Sequence, residues 1–259
     1  MTLFLPYQSH GWHGRIAKGW QHLFDDLDYW LAANPGESVV SFPSREVRRV
    51  ETPAGAVYVK ILRSGGGGVH DTRGWVGKLK WLARPSRAEA IRRISQTLLD
   101  EGFLCAAPLL AARRRSPAGW PTDLFISREI RSSPLAQRLH LHEVDQARRL
   151  LAQVADELRR FHQAGFVHGD CTPYNLALTD EGRLVLFDND RTVRSPAWLR
   201  RQRQRRSLSS FGLRLTQLMQ SLDPFREFLA RYANGDEEEA ERILRLTQKR
   251  LRAKGLDFR

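Results

Sequence analysis

Cysteine is scarce: Cys105 and Cys171 are the only two in 259 residues. They lack metal-ligand spacing, so neither a disulfide framework nor a zinc site is indicated, and two reduced thiols are expected. Long apolar runs are missing as well, which excludes an integral membrane protein of the helical kind. The opening stretch Leu3-Phe4-Leu5 is too short for a secretory signal, and His10 and Gly11 follow where small cleavage-site residues belong; the expectation is a cytosolic protein. Acidic residues are in deficit, 29 Asp and Glu against 42 Lys and Arg, for a net charge of +13. Such a field attracts polyanions; nucleic acid, anionic lipid head groups and phosphorylated glycolipids all qualify, and charge alone does not choose among them. What the chain does have is a core. With 41% hydrophobic residues, seven Trp and twelve Phe, it can fill one large domain or two lobes sharing a cleft.

The apolar residues Ile16, Trp20, Leu23, Phe24, Leu27, Trp30 and Leu31 fall at helical spacing and predict a helix over 15–33, ended by Asn34-Pro35-Gly36. Its two tryptophans admit two roles, packing on a small lobe or insertion at a membrane interface. Strands over 38–42, 45–52 and 57–62 form an antiparallel meander, turned at Pro53-Ala54-Gly55. The glycine run that starts at Gly65 opens a flexible segment to about Pro85, ahead of a helix over 87–100. After a strand at 123–128, the polar stretch Arg131-Ser132-Ser133-Pro134 reads as a hinge, which divides the chain into 1–129 and 130–259. The second half opens with a long helix over 144–164 capped by Gly165. Short strands at 176–178 and 184–187 follow, joined by the turn Asp180-Glu181-Gly182, and helices run from about Pro196.

The stretch that carries chemistry is Val167-His168-Gly169-Asp170-Cys171-Thr172-Pro173-Tyr174-Asn175, followed by the hairpin and Phe187-Asp188-Asn189-Asp190. It resembles the catalytic and metal-binding loops of the protein-kinase fold, which use His-x-Asp, an Asn five residues on, and a second Asp after the next hairpin. Phosphoryl transfer needs the acceptor hydroxyl held in line with the γ-phosphate and the developing charge neutralised by metal. On this resemblance Asp170 is the catalytic base, His168 braces the loop, and Asn175, Asp188 and Asp190 supply oxygen ligands for Mg²⁺. Cys171, beside Asp170, reads as structural.

Upstream, Val57-Tyr58-Val59-Lys60-Ile61 resembles the strand whose lysine contacts the ATP phosphates and pairs with a helix glutamate; a solvent-facing lysine is the plainer alternative. Glu89 is the candidate partner of Lys60, although Ser86-x-x-Glu89 fits a capping box equally well. A glycine-rich phosphate loop is missing in its usual place. Ser41-Phe42-Pro43-Ser44-Arg45 stands there instead, with backbone amides and Ser44 or Arg45 expected at the phosphates and Glu129 and Ile130 at the nucleotide.

Gly169 replaces the arginine that regulated protein kinases carry, Asp188-Asn189-Asp190 replaces Asp-Phe-Gly, and no Ala-Pro-Glu follows. Together with Ser86-Arg87-Ala88-Glu89 and the run from His162 to Asp170, these features resemble the bacterial lipopolysaccharide core kinases, the Kdo kinase and heptose kinase group. The resemblance implies an α+β, protein-kinase-like bilobal fold, with a small antiparallel β-sheet lobe and a mainly helical lobe. It also implies ATP and Mg²⁺ as cofactors and a sugar hydroxyl of the lipid A core as acceptor. Arg113-Arg114-Arg115 and the cluster Arg200, Arg201, Arg203, Arg205 and Arg206 either bind anionic glycolipid or the inner-membrane surface, or are solvated faces. No nucleic acid is expected. The alternatives are another small-molecule phosphotransferase, a RIO-like atypical protein kinase, and a pseudokinase or nucleic-acid-binding scaffold.

Overall fold

The computed structural model describes residues 2–63, 85–117, 119–141, 143–179, 181–256 and 258. The predicted glycine-rich segment and Asp180 of the hairpin turn lie outside them. Internal contacts divide the chain into Met1–Ile130 and Arg131–Arg259, each of which is described by itself.

The first unit is built on an antiparallel sheet. Its strands are β1 (Phe4–Ser9), β2 (Trp12–Ala17), β3 (Glu37–Phe42), β4 (Arg45–Val50), β5 (Val57–Arg63), β7 (Pro108–Arg115) and β8 (Pro121–Arg128); β6 (Leu104–Cys105) is a two-residue strand outside it. The order β1-β2-β7-β8-β5-β4-β3 extends the predicted meander from three strands to seven. Helix α1 (Leu27–Ala33) is shorter than predicted, because residues 15–17 belong to β2 and Gln21–Leu23 is a single 3₁₀ turn. His10 and Gly11, with φ of 43° and 80°, make the tight hairpin turn that the right-handed twist of paired strands requires. Asp26 then caps α1 by accepting a hydrogen bond from the Tyr29 amide, so the helix cannot begin earlier. The helical spacing nonetheless marked the right side chains. Ile16, Trp20, Phe24, Leu27 and Trp30 are all buried, Trp20 and Trp30 flank Phe24, and the packing role of the two tryptophans holds.

Strand alternation gives the sheet two different faces. Val57, Val59 and Ile61 join the tryptophan cluster, whereas Leu62 packs with Ala111, Phe125, Ala88 and Ile91 beneath α2 (Arg87–Asp100). Arg113 forks onto the buried Asp123 at 3.0 and 2.9 Å, and Asp123 accepts from Ser86, the cap of α2, at 2.6 Å.

The second unit holds α3 (Leu135–Leu141), α4 (Val144–Gln163), α5 (Ala197–Met219), α6 (Asp223–Ala233) and α7 (Glu237–Arg252). The predicted hinge is partly strand: β9 (Ser133–Pro134) pairs with β11 (Leu176–Leu178), which also pairs with β12 (Leu184–Leu186). Helix α4 ends at Gly165, whose φ of 90° is the left-handed conformation that only glycine adopts at no cost. The chain then enters β10 (Phe166–His168), paired with β13 (Thr192–Arg194).

Candidate active site

The loop 169–175 is held at both ends by strands and from beneath by one histidine. His168 is fully buried, and its Nδ1 accepts the Asp170 amide at 3.3 Å. Since Nδ1 is the acceptor, Nε2 carries the proton and donates to the Phe187 carbonyl at 2.7 Å. The ring therefore ties the residue before Asp188 to Asp170 itself. Burial pushes His168 below the usual imidazole range against the pull of the Phe187 carbonyl and of Asp188, Asp170 and Asp190, so it is a neutral brace. Ser207 of α5 donates to the His168 carbonyl at 2.8 Å, a support no sequence motif signals.

Asp170 is exposed to solvent and positioned by Asn175, whose Nδ2 reaches the Asp170 carbonyl at 2.8 Å and its carboxylate at 3.2 Å. Asn175 is fixed in turn by its own backbone, its amide donating to Thr172 and its carbonyl accepting from Phe187. With its nitrogen on Asp170, the side-chain oxygen of Asn175 faces the other way. Cys171 is buried, its thiol pushed up to about 12 by desolvation, which fits a structural residue.

The segment after β12 turns at Asp188, which has φ 52° and ψ 54°. Aspartate is among the few side chains that adopt this left-handed conformation readily. Asn189, missed by sequence reasoning, makes the turn: buried, it donates to the Leu186 carbonyl and accepts from Thr192, closing a 3₁₀ turn that carries Asp190. Gly169 packs on this segment so closely that an added Cβ would stand 2.6 Å from the Arg191 carbonyl, leaving no room for the arginine of regulated protein kinases. Among the described residues no group of three or more His, Cys, Asp or Glu forms a metal cage. Asn175, Asp188 and Asp190 carry oxygen donors of the hard kind that Mg²⁺ prefers.

In the first unit Lys60 is 9% exposed and pairs across the sheet with Val47 and Phe125. It shares a strand face with Leu62, which packs against Ala88 and Ile91 of α2. The Ser86 hydroxyl caps α2 through the Glu89 amide, while the Glu89 carboxylate receives Arg92 and Arg93. Burial works to raise that carboxyl, but the two arginines outweigh it and hold it below the usual range. Ser44 sits in a two-residue turn between β3 and β4 and accepts the Arg63 amide on its carbonyl. The Glu129 amide donates to Ala56 and its carboxylate is forked by Arg49; Ile130 follows as the last residue of the unit.

The two arginine clusters part company. Arg113 is held by Asp123, and Arg114 by Asp28 and the Trp12 ring, so the first belongs to the sheet.

Residues 75–240 match the Lipopolysaccharide kinase (Kdo/WaaP) family. No curated protein matches the chain.

Proposed function

The chain belongs to the lipopolysaccharide kinase (Kdo/WaaP) family, and from that premise we propose that it transfers the γ-phosphate of ATP to a sugar hydroxyl, on Kdo or heptose, of the lipopolysaccharide inner core. The observation that carries this reading is the brace of His168, which joins the Asp170 amide to the Phe187 carbonyl while Asn175 holds the Asp170 carboxylate. Asp170 accepts the proton of the acceptor hydroxyl and orients its oxygen. Asn175 and Asp188 hold Mg²⁺ through oxygen, with Asp190 alongside. Bound Mg²⁺ supplies the positive charge that offsets the charge building on the phosphates. On the nucleotide side, Lys60 contacts the α- and β-phosphates, Glu89 orients it, and Ser44 covers the phosphates. Glu129 and Ile130 meet the adenine edge, where Glu129 offers its carbonyl, its amide being given to Ala56. ATP places the reaction on the cytoplasmic side of the membrane that holds the acceptor. Among the described residues no helix is long and apolar enough to cross a bilayer.

Incubation with γ-labelled ATP, Mg²⁺ and Kdo-bearing lipid A tests the proposal, with a protein acceptor in parallel. Label on the glycolipid is expected, reduced roughly a hundred- to ten-thousandfold by Asp170→Asn. Label on protein alone moves the assignment to an atypical protein kinase, and label on neither to a scaffold.

A further inference from the structure

The second arginine cluster has little counter-charge of its own. Between Asp190 and Asp223 the sequence contains eight arginines and no acidic residue. Several arginines elsewhere are neutralised by nearby acids: Arg49 by Glu129, Arg93 by Glu89, Arg113 by Asp123, Arg231 by Asp156. In this stretch Arg205 pairs with Glu239, but the side chains of Arg191, Arg201 and Arg206 have no ion pair or hydrogen-bond partner among the described residues. The exposed face of the first turns of α5 is Trp198, Arg201, Gln202 and Arg206, at i, i+3, i+4 and i+8. Trp198 is 81% exposed, the most exposed large hydrophobic side chain described. On β13, Val193 is exposed as well.

Nothing in the fold asks for this composition. Cations at a helix N-terminus oppose its dipole, and α5 has no acidic residue in its first turn to offset them. An indole left in water buries nothing. Both features become favourable together at an anionic bilayer surface, where each arginine near the lipid phosphates contributes binding and tryptophan settles at head-group depth. We propose that Trp198, Arg201 and Arg206, with Arg191 of the preceding 3₁₀ turn and Val193 of β13, form a docking surface for an anionic phospholipid membrane. It begins immediately after the loop that carries Asp188 and Asp190, so docking here brings the membrane to the catalytic loop. That last clause rests on the kinase reading; the membrane contact itself does not.

Flotation of the full chain with phosphatidylcholine vesicles, with and without phosphatidylglycerol and with neither nucleotide nor acceptor present, provides the test. Binding is expected only with phosphatidylglycerol, and is expected to weaken with salt. Arg201→Glu/Arg206→Glu is expected to lower the partition coefficient by roughly 25-fold or more, at about fivefold for each arginine removed from the surface. Trp198→Ala should lower it further, whereas Arg242→Glu/Arg245→Glu and its single Arg245→Glu form, charge reversals on α7, should leave it near wild type. Equal binding to neutral vesicles, no binding at all, or an equal loss in either α7 variant overturns the proposal. So does tighter capture of a short RNA that the same variants abolish, which reassigns the surface to nucleic acid. Circular dichroism shows that each variant is folded. Because no phosphate is transferred in this assay, its failure leaves the kinase reading standing, and failure of the transfer assay leaves the membrane contact standing.

Discussion

Single residues at the Asp188 turn separate shape from charge. The turn asks Asp188 for tolerance of a left-handed backbone, the proposed metal role asks it for a carboxylate, and asparagine supplies the first without the second. Asp188→Asn should therefore keep a melting temperature near wild type while losing Mg²⁺-dependent nucleotide binding, as calorimetric titration would record. Asp188→Val should lose both, since a β-branched side chain is an outlier at that φ. Retained Mg²⁺-dependent binding in the asparagine variant would remove Asp188 from the metal site. The two buried histidines of the same unit set its acid stability. Desolvation first, and then the cost of a second positive charge so near the His168 ring, pushes His162 down to about 3, and its Nδ1 meets the Tyr232 hydroxyl at 2.8 Å. The unfolded imidazole titrates near 6.5. Between those values the unfolded chain binds a proton that the folded chain refuses, so stability is whole above about pH 6.5 and falls as the pH drops, by up to about 1.4 kcal/mol per pH unit for this group. His168 acts in the same direction. Urea unfolding at about pH 7 and about pH 5 should show a smaller pH loss for His162→Gln than for wild type; equal losses would assign the acid sensitivity elsewhere.

Helix on helix, the packing turns on a glycine. A Cβ at Gly212 of α5 would stand 2.3 Å from the Phe225 ring of α6, and that ring is backed by Phe228 in a stacked contact at 5.9 Å. Propensity alone favours Gly212→Ala by about 1 kcal/mol, but the ring cannot retreat without moving α6, and overpacking of this kind costs about 1–3 kcal/mol. A lower melting temperature is expected, and a higher one would mean that the ring yields. Elements were legible in the sequence where local rules suffice: α2 runs over the predicted 87–100 because Ser86 caps it, and α4 stops at Gly165. They were illegible where pairing is long-range. Helical spacing across residues 15–33 concealed a strand whose partner is β7, and the apolar start of β7 was masked by the arginines that follow it.

At the scale of the whole molecule, the family was the easier part to read. His168, Asp170, Asn175 and Asp188 lie within one continuous stretch, so spacing along the chain carries the motif. What the sequence could not show was the support beneath them, because Asn189, Ser207 and the close approach of Gly169 to Arg191 are matters of packing. Nor could it separate two arginine clusters of similar appearance, since the acids that neutralise the first, Asp28 and Asp123, come from other strands and helices. The N-terminal hairpin carries a last consequence, for biosynthesis. Strand β2 leaves the ribosome early, but its neighbour β7 is made long afterwards, with Ile16 opposite Leu110. Until then Trp12, Trp20 and Phe24 have no sheet to cover, so this edge closes late, and the nascent chain must be shielded from aggregation while it waits.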